Sequence, residues 1–364
     1  MPSTRRRSKS SRSASAGSAE LALLERIRLR AAAQEPTPEL RLGIGDDCAL
    51  LRVAPDEELA VTTDLSIAGR HFNLDWHPPE SIGHRALARG LSDLAAMGAR
   101  PVAVFLSLAL PSNLVQNPKA RSAPFIDRFL DGLLALAAKC NVPLAGGDLA
   151  ESALAIADVV LTGAVTQGKA LLRSGARPGD LIYVTGSLGG AAAGFACLSQ
   201  MAAAFKRAKS AGRLKLPISV PEKFNEILKP HLYPSPRLAQ GIWLTRNAAA
   251  SAAIDLSDGL STDLTHLCTE SGVYAELDAP ALPIAPAANP MQALHGGEDY
   301  ELLFTASPDA RIPSKIEGVS VTRIGQITDQ PFRTGPRQTA RTPVTLITPK
   351  GPAPLASQGW QHFA

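Results

Sequence analysis

The chain has no apolar stretch of the length that a membrane-spanning helix needs. Its best such stretch, residues 102–110, has the length of a strand, whereas a spanning helix takes about 18–20 apolar residues. The first residues also lack the apolar segment of a secretory signal. These absences predict a protein that is neither inserted into a membrane nor exported.

Cysteine is scarce, and none of the cysteines belongs to a CxxC motif. The four cysteines, Cys48, Cys140, Cys197 and Cys268, lie far apart along the chain. Structural zinc sites and disulfide scaffolds have characteristic cysteine spacings that are missing here. The spacing therefore favours reduced thiols and a cytoplasmic location.

Excess charge is confined to the start of the chain. The net charge is +4, from 37 basic and 33 acidic residues. Residues 1–16 hold five of the basic residues and no acid, so the rest, with 32 basic and 33 acidic residues, carries −1. Because residues 1–17 are rich in serine and arginine without apolar periodicity, we predict a disordered tail there. The nearly neutral body therefore predicts no nucleic-acid partner, and the basic character belongs to the tail.

The composition of the body is that of a globular protein. Of the 364 residues, 45% are hydrophobic and 19% are charged, which is enough for a sizeable core and two domains. A turn signal, RPGD at residues 177–180, divides the chain. We predict an N-terminal domain over residues 18–176 and a C-terminal domain over residues 177–364.

Apolar periodicity predicts helices and strands in both halves. The predicted helices cover residues 20–33, 80–97, 125–139 and 237–246, with a further helix from residue 260. Another predicted helix follows the glycine- and alanine-rich residues 186–194 and ends near residue 205. The predicted strands cover residues 59–63, 102–110, 142–145, 153–165, 181–185, 252–254, 273–277, 300–305 and 319–324. Since strands and helices mix in both halves, the fold class is α/β or α+β.

A strand-to-helix junction at residues 251–266 carries two carboxylates. Asp255 ends an apolar run, Asp258 and Gly259 turn the chain, and leucines then recur at helical spacing. Hard cations such as Mg²⁺ take oxygen ligands, and phosphates bind the N-termini of helices. The junction therefore predicts chemistry on a metal-bound phosphate.

Other acidic residues share this setting. They are Asp46, Asp47, Asp64, Asp148, Glu298 and Asp299, each predicted at a strand end or in a glycine-rich turn, together with Asp93 inside a helix. Singly, each is explained by a turn, a helix cap or, for Asp93, a salt bridge to Arg89. Converging carboxylates repel one another unless divalent metal is bound, and phosphoryl transfer uses such metals.

Two glycine-rich segments resemble nucleotide-binding motifs but do not match them. Residues 163–170, GAVTQGKA, resemble a P-loop, but Ala170 replaces the hydroxyl residue that holds Mg²⁺, so we predict a plain turn. Residues 186–190 do not match GxGxxG and predict a tight turn into a helix. We find no Ser/His/Asp or Cys/His pattern for a covalent nucleophile.

Seven motifs, in order, resemble the thiamine-monophosphate kinase family from about residue 20 to the C-terminus. They are GIGDDCALL at 43–51, TTD at 62–64, GRHF at 69–72, LSDLAAMGA at 91–99, GGD at 146–148, IDLSDGL at 254–260 and GGEDYEL at 296–302. The resemblance implies the two-domain α/β fold shared with aminoimidazole ribonucleotide synthetase. It also implies a homodimer, in which the N-terminal domains form a β-barrel across the two-fold axis.

The resemblance further implies the reaction of ATP with thiamine monophosphate, with Mg²⁺, to give ADP and thiamine diphosphate. Its implied metal-binding residues are Asp47, Thr62, Thr63, Asp64, Asp93, Asp148, Asp255 and Asp258, of which Asp148 and Asp258 are the expected catalytic residues. Arg173 and Ser257 are implied to bind ATP. His71, Glu298 and Trp360 are implied to bind thiamine monophosphate, although Trp360 also suits simple packing.

The expected chemistry needs no general base, because the acceptor is a phosphate oxygen that is already anionic at neutral pH. We therefore predict direct in-line transfer, driven by positioning and charge neutralisation. The chain departs from the family at Leu149 and Ala150, where two threonines usually follow GGD. The connection from 277 to 297 is short, and residues 206–215 resemble an insertion.

Two alternatives stay open. The chain could be another ATP-dependent enzyme of the same superfamily that acts on a different phosphate, carboxyl or amide acceptor. From a different class, it could be a catalytically inactive protein that binds nucleic acid through its basic tail. A screen of acceptors separates the first alternative, and a salt-dependent DNA shift that is lost without residues 1–16 separates the second.

Overall fold

The computed structural model describes residues 13–35, 37–116, 123–210, 224–331, 333–335, 338–339 and 342–360. None of the helices in these ranges is long and apolar enough to cross a membrane. All four cysteines lie within them and are free thiols, as predicted.

The N-terminal half is a sheet covered on one face by two helices. Its helices are α1 (Ser13–Ala32), α2 (Pro79–Ala96), the short α3 (Ser112–Val115) and α4 (Phe125–Lys139). Its strands are β1 (Leu40–Leu42), β2 (Leu50–Leu51), β3 (Glu57–Ile67), β4 (Arg100–Leu110), β5 (Leu144–Glu151) and β6 (Ile156–Thr166). In the described part of the chain, four strands form an open sheet in the order β3-β6-β4-β5. Only the β4–β5 pair is parallel.

Glycine lets α2 and α4 pack with their backbones in contact. A Cβ atom on Gly83 would lie 1.9 Å from the carbonyl oxygen of Phe129, and one on Gly132 would lie 1.8 Å from that of Glu80. These distances exclude any side chain at either position. The two helices thus form a tight layer whose buried leucines, such as Leu87 and Leu133, cover the sheet.

The other face of this sheet is open at β3. Along β3, Thr62 and Asp64 approach Gly90 of α2, whereas the alternate residues Leu59, Val61 and Leu65 are 47%, 58% and 47% exposed. Because strand side chains alternate between faces, an edge strand here presents an apolar row to solvent. The described residues of one chain show no closed barrel, so the dimeric barrel stays a prediction.

The C-terminal half is a larger mixed sheet with helices. Its helices are α5 (Gly190–Ser210), α6 (Asn225–Leu232), α7 (Leu238–Arg246), α8 (Leu260–Ser271) and α9 (Pro290–His295), with a 3₁₀ turn at Ala279–Ala281. Its strands are β7 (Leu181–Thr185), β8 (Ala252–Asp255), β9 (Tyr274–Asp278), β10 (Leu302–Ala306), β11 (Lys315–Ile316), β12 (Val319–Thr328), β13 (Arg333–Gly335), β14 (Gln338–Thr339), β15 (Val344–Thr348) and β16 (Gly351–Pro354). The main sheet has the order β16-β15-β9-β12-β7-β10-β8.

One hydrophobic core extends across both halves. Leu238, Leu244 and Phe304 of the C-terminal half belong to the same buried cluster as Leu91 of α2. A Cβ atom on Gly241 of α7 would lie 2.0 Å from the carbonyl oxygen of Ala95, so α2 and α7 also meet backbone to backbone. The predicted domain boundary at 176/177 falls in the segment between β6 and β7. Residues from both halves are therefore held in fixed positions around α2.

Most predicted elements are confirmed, and three expectations are corrected. Residues 13–17, predicted within the disordered tail, form the start of α1, because their serines and alanines allow the helix to extend backwards. Residues 1–12 lie outside the described range. Asp64 and Asp148 were predicted at a strand end and in a turn, but both lie inside strands, since pairing of β3 with β6 and of β5 with β4 continues past them. Within residues 163–170, where a plain turn was predicted, residues 163–166 complete β6 and the turn itself lies at 167–168.

The predicted insertion is only partly described. Residues 206–210 extend α5, and residues 211–223 lie outside the described range. Helices α6 and α9 were not predicted from the sequence. Pro230 lies inside α6, and α9 has only six residues, so neither shows a clear helical period.

Candidate active site

A cavity of about 280 Å³ lies where the two halves meet. Its walls combine acidic, basic and aromatic side chains from both halves. The lining residues are Asp64, Arg70, His71, Arg89, Asp93, Ala191, Ala192, Phe195, His231, Asp255, Ser257, Asp258, Gly297, Glu298, Tyr300 and Trp360. The cavity thus brings together most, though not all, of the residues that the sequence singled out.

Strand β3 and helix α2 supply Asp64 and Asp93, which together with Asp255 are called the acidic floor of the cavity. Thr62 and Asp64 lie on the face of β3 that meets α2, and the Thr62 hydroxyl donates to Asp93 Oδ2 at 2.5 Å. Arg89 does not form the helical salt bridge with Asp93 that its spacing suggested. It pairs instead with Asp64 on β3, with Nη2 3.0 Å from Oδ1.

The β8–α8 junction supplies the other carboxylates. Asp255 is 3% exposed and accepts a hydrogen bond of 2.7 Å from the Ser92 hydroxyl. Asp258 follows in the loop, whose backbone N–H groups at Asp258 and Gly259 donate to Asp263. Gly259 has a φ of +115°, which favours glycine and turns the chain into α8.

Burial and mutual repulsion disfavour the ionised forms of the carboxylates in the acidic floor. Burial, followed by the nearby Asp93 carboxylate, raises the pKa of Asp255 to about 7. Burial also raises the pKa of Asp64 to about 6, against the opposing effect of Arg89. Arg173 lies close enough to lower the pKa values of Asp93 and Asp255, but burial still leaves that of Asp93 raised. A bound cation would favour the charged forms of all three carboxylates.

The donor set suits a magnesium ion that arrives with phosphate. In the described ranges no group of three or more histidine, cysteine or acidic side chains is arranged to hold a metal alone. Mg²⁺ usually keeps several waters and binds through one or two carboxylates plus substrate phosphates. The oxygen donors of Asp64, Asp93, Asp255 and Asp258 therefore fit a nucleotide-bound ion and do not form a complete protein cage.

The GGED turn presents Glu298 to the opposite wall. Glu298 and Tyr300 have φ values of +67° and +50°, which are uncommon for residues with side chains. The turn is held by backbone bonds from Glu298 N to Ser257 O at 2.8 Å and from Tyr300 N to Leu256 O at 2.9 Å. Strain of this kind persists only where surrounding contacts enforce it, and it is common at functional sites.

Arg85 and His231 hold the Glu298 carboxylate in its ionised form. Arg85 Nη2 donates to Glu298 Oε1 at 2.5 Å, and His231 Nδ1 lies 3.5 Å from Oε2. Burial by itself would raise the pKa of Glu298, but Arg85 and His231 outweigh it and hold that pKa below its usual value. Glu298 is therefore a fixed negative charge in the cavity wall.

The aromatic wall comes from the C-terminus and α5. Trp360 N donates to Asp258 O at 3.1 Å, and a Cβ atom on Gly359 would lie 2.1 Å from the same oxygen, so this segment packs directly on the acidic loop. Trp360 and Phe195 line the cavity with 45% and 47% of their surfaces exposed. Both rings are therefore accessible from the cavity.

The predicted acidic residues do not form one cluster in the single chain. Asp47 and Asp148 line a second cavity, of about 670 Å³, between α1, the 43–49 loop and β5. Across the sheet, Asp148 of β5 is paired with Ser107 of β4, Ser107 with Asp158 of β6, and Asp158 with the exposed Leu65 of β3. Because paired residues lie on the same face of a sheet, Asp148 faces away from α2. Thr63 shares that outer face. In the single chain these three residues lie apart from the carboxylates of the acidic floor, because strand parity places Thr63 and Asp148 on the other side of the sheet and Asp47 lies in the 43–49 loop.

Other acidic residues have structural roles. Asp299 accepts hydrogen bonds from Gly189 N at 2.6 Å and Ala191 N at 3.1 Å, which caps the start of α5. Asp263 similarly receives the N–H groups that precede α8. The capping explanation weighed for single acidic residues is therefore confirmed for Asp299.

Sequence reasoning missed several side chains of the site. Arg85, Arg89, Phe195 and His231 lie outside the predicted set, yet they line the cavity or hold Glu298. The histidine and the two arginines belong to ordinary helices with no local motif. Only the position of Arg89 one helical turn before Asp93 was a signal, and it suggested the wrong partner.

Comparison with known proteins supports the two-part organisation. Residues 45–166 match the model of the AIR synthase related protein N-terminal domain, and residues 177–334 match that of its C-terminal domain. The thiamine-monophosphate kinases of Salmonella typhimurium and Escherichia coli are each 37% identical to this chain over 335 residues. That alignment covers 90% of this chain and 93% of each relative.

The chain belongs to the thiamine-monophosphate kinase family. The resemblance carried by the seven sequence motifs is therefore confirmed, and with it the assignment to a family of kinases. A crystal structure of a family member from Stenotrophomonas maltophilia has a TM-score of 0.70 and 37% identity, covering 89% of this chain and 95% of that one. The structure of AaThiL complexed with AMPPCP and TMP has a TM-score of 0.68 and 26% identity, covering 94% and 97%.

Proposed function

We propose that this protein phosphorylates thiamine monophosphate with ATP, giving thiamine diphosphate and ADP. The named activity of the relatives and the AaThiL complex with AMPPCP and TMP support the proposal. The observation that carries it is the cavity between the two halves. It brings buried carboxylates suited to a metal-bound phosphate together with Glu298 and the exposed ring of Trp360.

The acceptor end of the cavity suits thiamine monophosphate. Its thiazolium ring is cationic and its pyrimidine carries an amino group, so an aromatic face and a carboxylate complement it. Trp360 offers the face, and Glu298, kept ionised by Arg85, offers the acceptor oxygens. His71 lines the same cavity, with its Nδ1 accepting from Ile67 N at 3.1 Å, which orients the ring.

The phosphoryl-transfer end relies on charge neutralisation. The attacking oxygen of the acceptor phosphate is anionic at neutral pH, so no side chain has to remove a proton. Asp64, Asp93, Asp255 and Asp258 would hold Mg²⁺, which would supply positive charge that offsets the repulsion between phosphate groups. Held in this way, the phosphates would be positioned for in-line attack.

The nucleotide is proposed to enter from the side of Arg173 and Ser257. Ser257 lines the cavity beside Asp258, and Arg173 acts on the Asp93 and Asp255 carboxylates. Asp47 and Asp148 are proposed to bind further metal at the second cavity, which opens on the uncovered face of the N-terminal sheet. A second copy of the chain on that face, as in the proposed homodimer, would cover the apolar row of β3.

The reaction is tested by measuring ADP and thiamine diphosphate from the purified chain with ATP and Mg²⁺. Parallel reactions contain thiamine monophosphate, thiamine or no acceptor. We expect ADP only with thiamine monophosphate, in equal amount to thiamine diphosphate. A folded, ATP-binding protein that releases ADP with none of these acceptors would overturn the proposal and favour another acceptor of the superfamily.

A further inference from the structure

Arg89 occupies a position in the cavity that no predicted role explains. It lies on α2 and lines the cavity together with Asp64, Glu298 and Tyr300. Its electrostatic partners are Tyr300, Asp64 and Glu298. Its side chain is 19% exposed, so it is a largely buried cation that still faces the cavity.

The hydrogen bonds of Arg89 use only one side of its guanidinium group. Nε and Nη2 both donate to the same oxygen of Asp64, at 3.2 Å and 3.0 Å. Within the described residues Nη1 has no hydrogen-bond partner, and it is not among the buried unpaired atoms, so it is open to the cavity. Asp64 Oδ2 is likewise not used by Arg89. The pair can therefore receive an anion on Nη1 and a cation on Oδ2 at once.

A second arginine also acts on the cavity carboxylates. Arg173 interacts with Asp93 and Asp255, and Arg89 interacts with Asp64, Asp93 and Glu298. A donor phosphate near Arg173 and an acceptor phosphate near Arg89 would approach each other over the floor, which is the arrangement that in-line transfer needs.

We propose that Arg89 binds the phosphate group of the phosphorylated acceptor. This inference rests on the proposed function, since it assigns the acceptor phosphate to one end of the same cavity. A planar guanidinium group can donate two hydrogen bonds to phosphate oxygens. A buried ion pair contributes little to stability, so stability alone does not account for Arg89 at this position. Arg70 is the competing candidate, because it also lines the cavity, but it is exposed at the rim and forms no ion pair within the described residues.

The test measures equilibrium binding of two ligands to wild type, Arg89→Gln, Arg89→Lys and Arg70→Gln. The ligands are thiamine monophosphate without nucleotide and AMPPCP with Mg²⁺ without acceptor. We expect Arg89→Gln to weaken thiamine monophosphate binding by about 10- to 100-fold and to change AMPPCP binding by less than about threefold. Arg89→Lys keeps a charge but loses the planar fork, so its affinity should be intermediate.

Three outcomes would overturn the proposal. Equal weakening of both ligands indicates that Arg89 supports the site only as an ion pair between α2 and β3. Selective loss of AMPPCP assigns Arg89 to the donor phosphate. Loss of thiamine monophosphate binding in Arg70→Gln with none in Arg89→Gln assigns the role to Arg70.

Two further results keep the inference separate from folding and from the proposed function. Should Arg89→Gln fail to fold, Arg89→Lys decides, because wild-type affinity for thiamine monophosphate in that variant contradicts a planar phosphate contact. Absence of thiamine monophosphate binding by the wild type would instead contradict the proposed function itself, and the Arg89 assignment with it.

Discussion

At the scale of single residues, the site concentrates negative charge where burial opposes it. Asp64, Asp93 and Asp255 all have raised pKa values, with burial as the leading cause in each case. Buried carboxylates with raised pKa values lower the free energy of unfolding of the ligand-free protein, and they favour the binding of a cation. Function and stability therefore make opposite demands at these positions.

Asp255→Asn should separate these two demands. An amide can still accept the Ser92 hydroxyl through its oxygen, while the repulsion from Asp93 disappears. We expect turnover to fall by more than about 100-fold, with a melting temperature equal to or above that of the wild type. A variant with lowered stability would contradict the view that Asp255 is held in an unfavourable charge state.

His77 predicts how stability depends on pH. His77 is 4% exposed and its Nε2 lies 3.1 Å from His231 Nε2, next to Arg85. Burial, then Arg85 and His231, lower the pKa of His77 to about 3. In the unfolded chain this histidine takes up a proton near pH 6.5, whereas in the folded chain it stays neutral until about pH 3. Its contribution to the free energy of unfolding is therefore fully present above pH 6.5 and is lost as the pH falls towards 3.

The slope of this loss should reach about 1.4 kcal/mol per pH unit for His77 alone. Urea unfolding of wild type and His77→Gln between pH 7.5 and 4.5 measures it. We expect a shallower slope in the variant, because His77 no longer contributes. Parallel slopes would show that His77 titrates in the folded protein as it does in the unfolded one.

At the scale of elements, glycine decides how closely the helices approach. Gly132 on α4 has no room for a Cβ atom, since it would meet the carbonyl oxygen of Glu80 at 1.8 Å. Gly132→Ala should gain about 1 kcal/mol from helix propensity but lose more from forcing α2 and α4 apart. We expect a net loss of about 2 kcal/mol or more in the free energy of unfolding.

Ala135→Ser is the matched control for that experiment. It adds one heavy atom to an exposed position of the same helix, so its effect should stay within about 0.5 kcal/mol. Both variants are compared by urea unfolding. Similar stabilities for the two would mean that α2 and α4 can separate at little cost.

The exposed face of β3 supports the proposed homodimer. Val61 is 58% exposed, between Leu59 and Leu65 on the same face of an edge strand. We expect the wild type to elute as a dimer in light-scattering chromatography and Val61→Lys to shift towards monomer, since a buried lysine would be unpaired. Glu58→Lys, a charge change at a neighbouring exposed position on the other face, should leave the mass unchanged. A monomeric wild type would refute the homodimer.

At the scale of the whole molecule, α2 joins the two halves and positions the site between them. It packs on α4, on β3 and on α7, and it supplies Arg89 and Asp93 to the cavity. It also supplies Arg85 and Ser92, which donate hydrogen bonds to Glu298 and Asp255. The acidic floor therefore depends on both halves being in place. The shared core around α2 makes that arrangement part of the fold.

Removal of magnesium should abolish turnover without unfolding the protein. In the described residues no protein cage holds a metal by itself, so EDTA should leave the melting temperature nearly unchanged. ATP should raise the melting temperature only when Mg²⁺ is present, because the carboxylates otherwise repel the nucleotide phosphates. A large fall in melting temperature on adding EDTA alone would indicate a structural metal and contradict this account.

The sequence by itself determined the family and most of the helices and strands. Apolar periodicity located α2, α4, β7 and β8 because it reflects local burial, which each segment shows without reference to the rest of the chain. The acidic motifs at 254–260 and 296–302 predicted the chemistry, because hard cations and phosphates require those residue types. The resemblance to thiamine-monophosphate kinases followed from motif order alone.

Only the tertiary structure decided which of those residues meet. Asp64 faces α2 and Asp148 faces away from it, because side chains alternate along strands and register comes from long-range pairing. Arg89 binds Asp64 rather than Asp93, because a strand 25 residues earlier in the chain lies closer than the next helical turn. Distances between residues far apart in sequence are set by packing of whole elements, and no local pattern contains them.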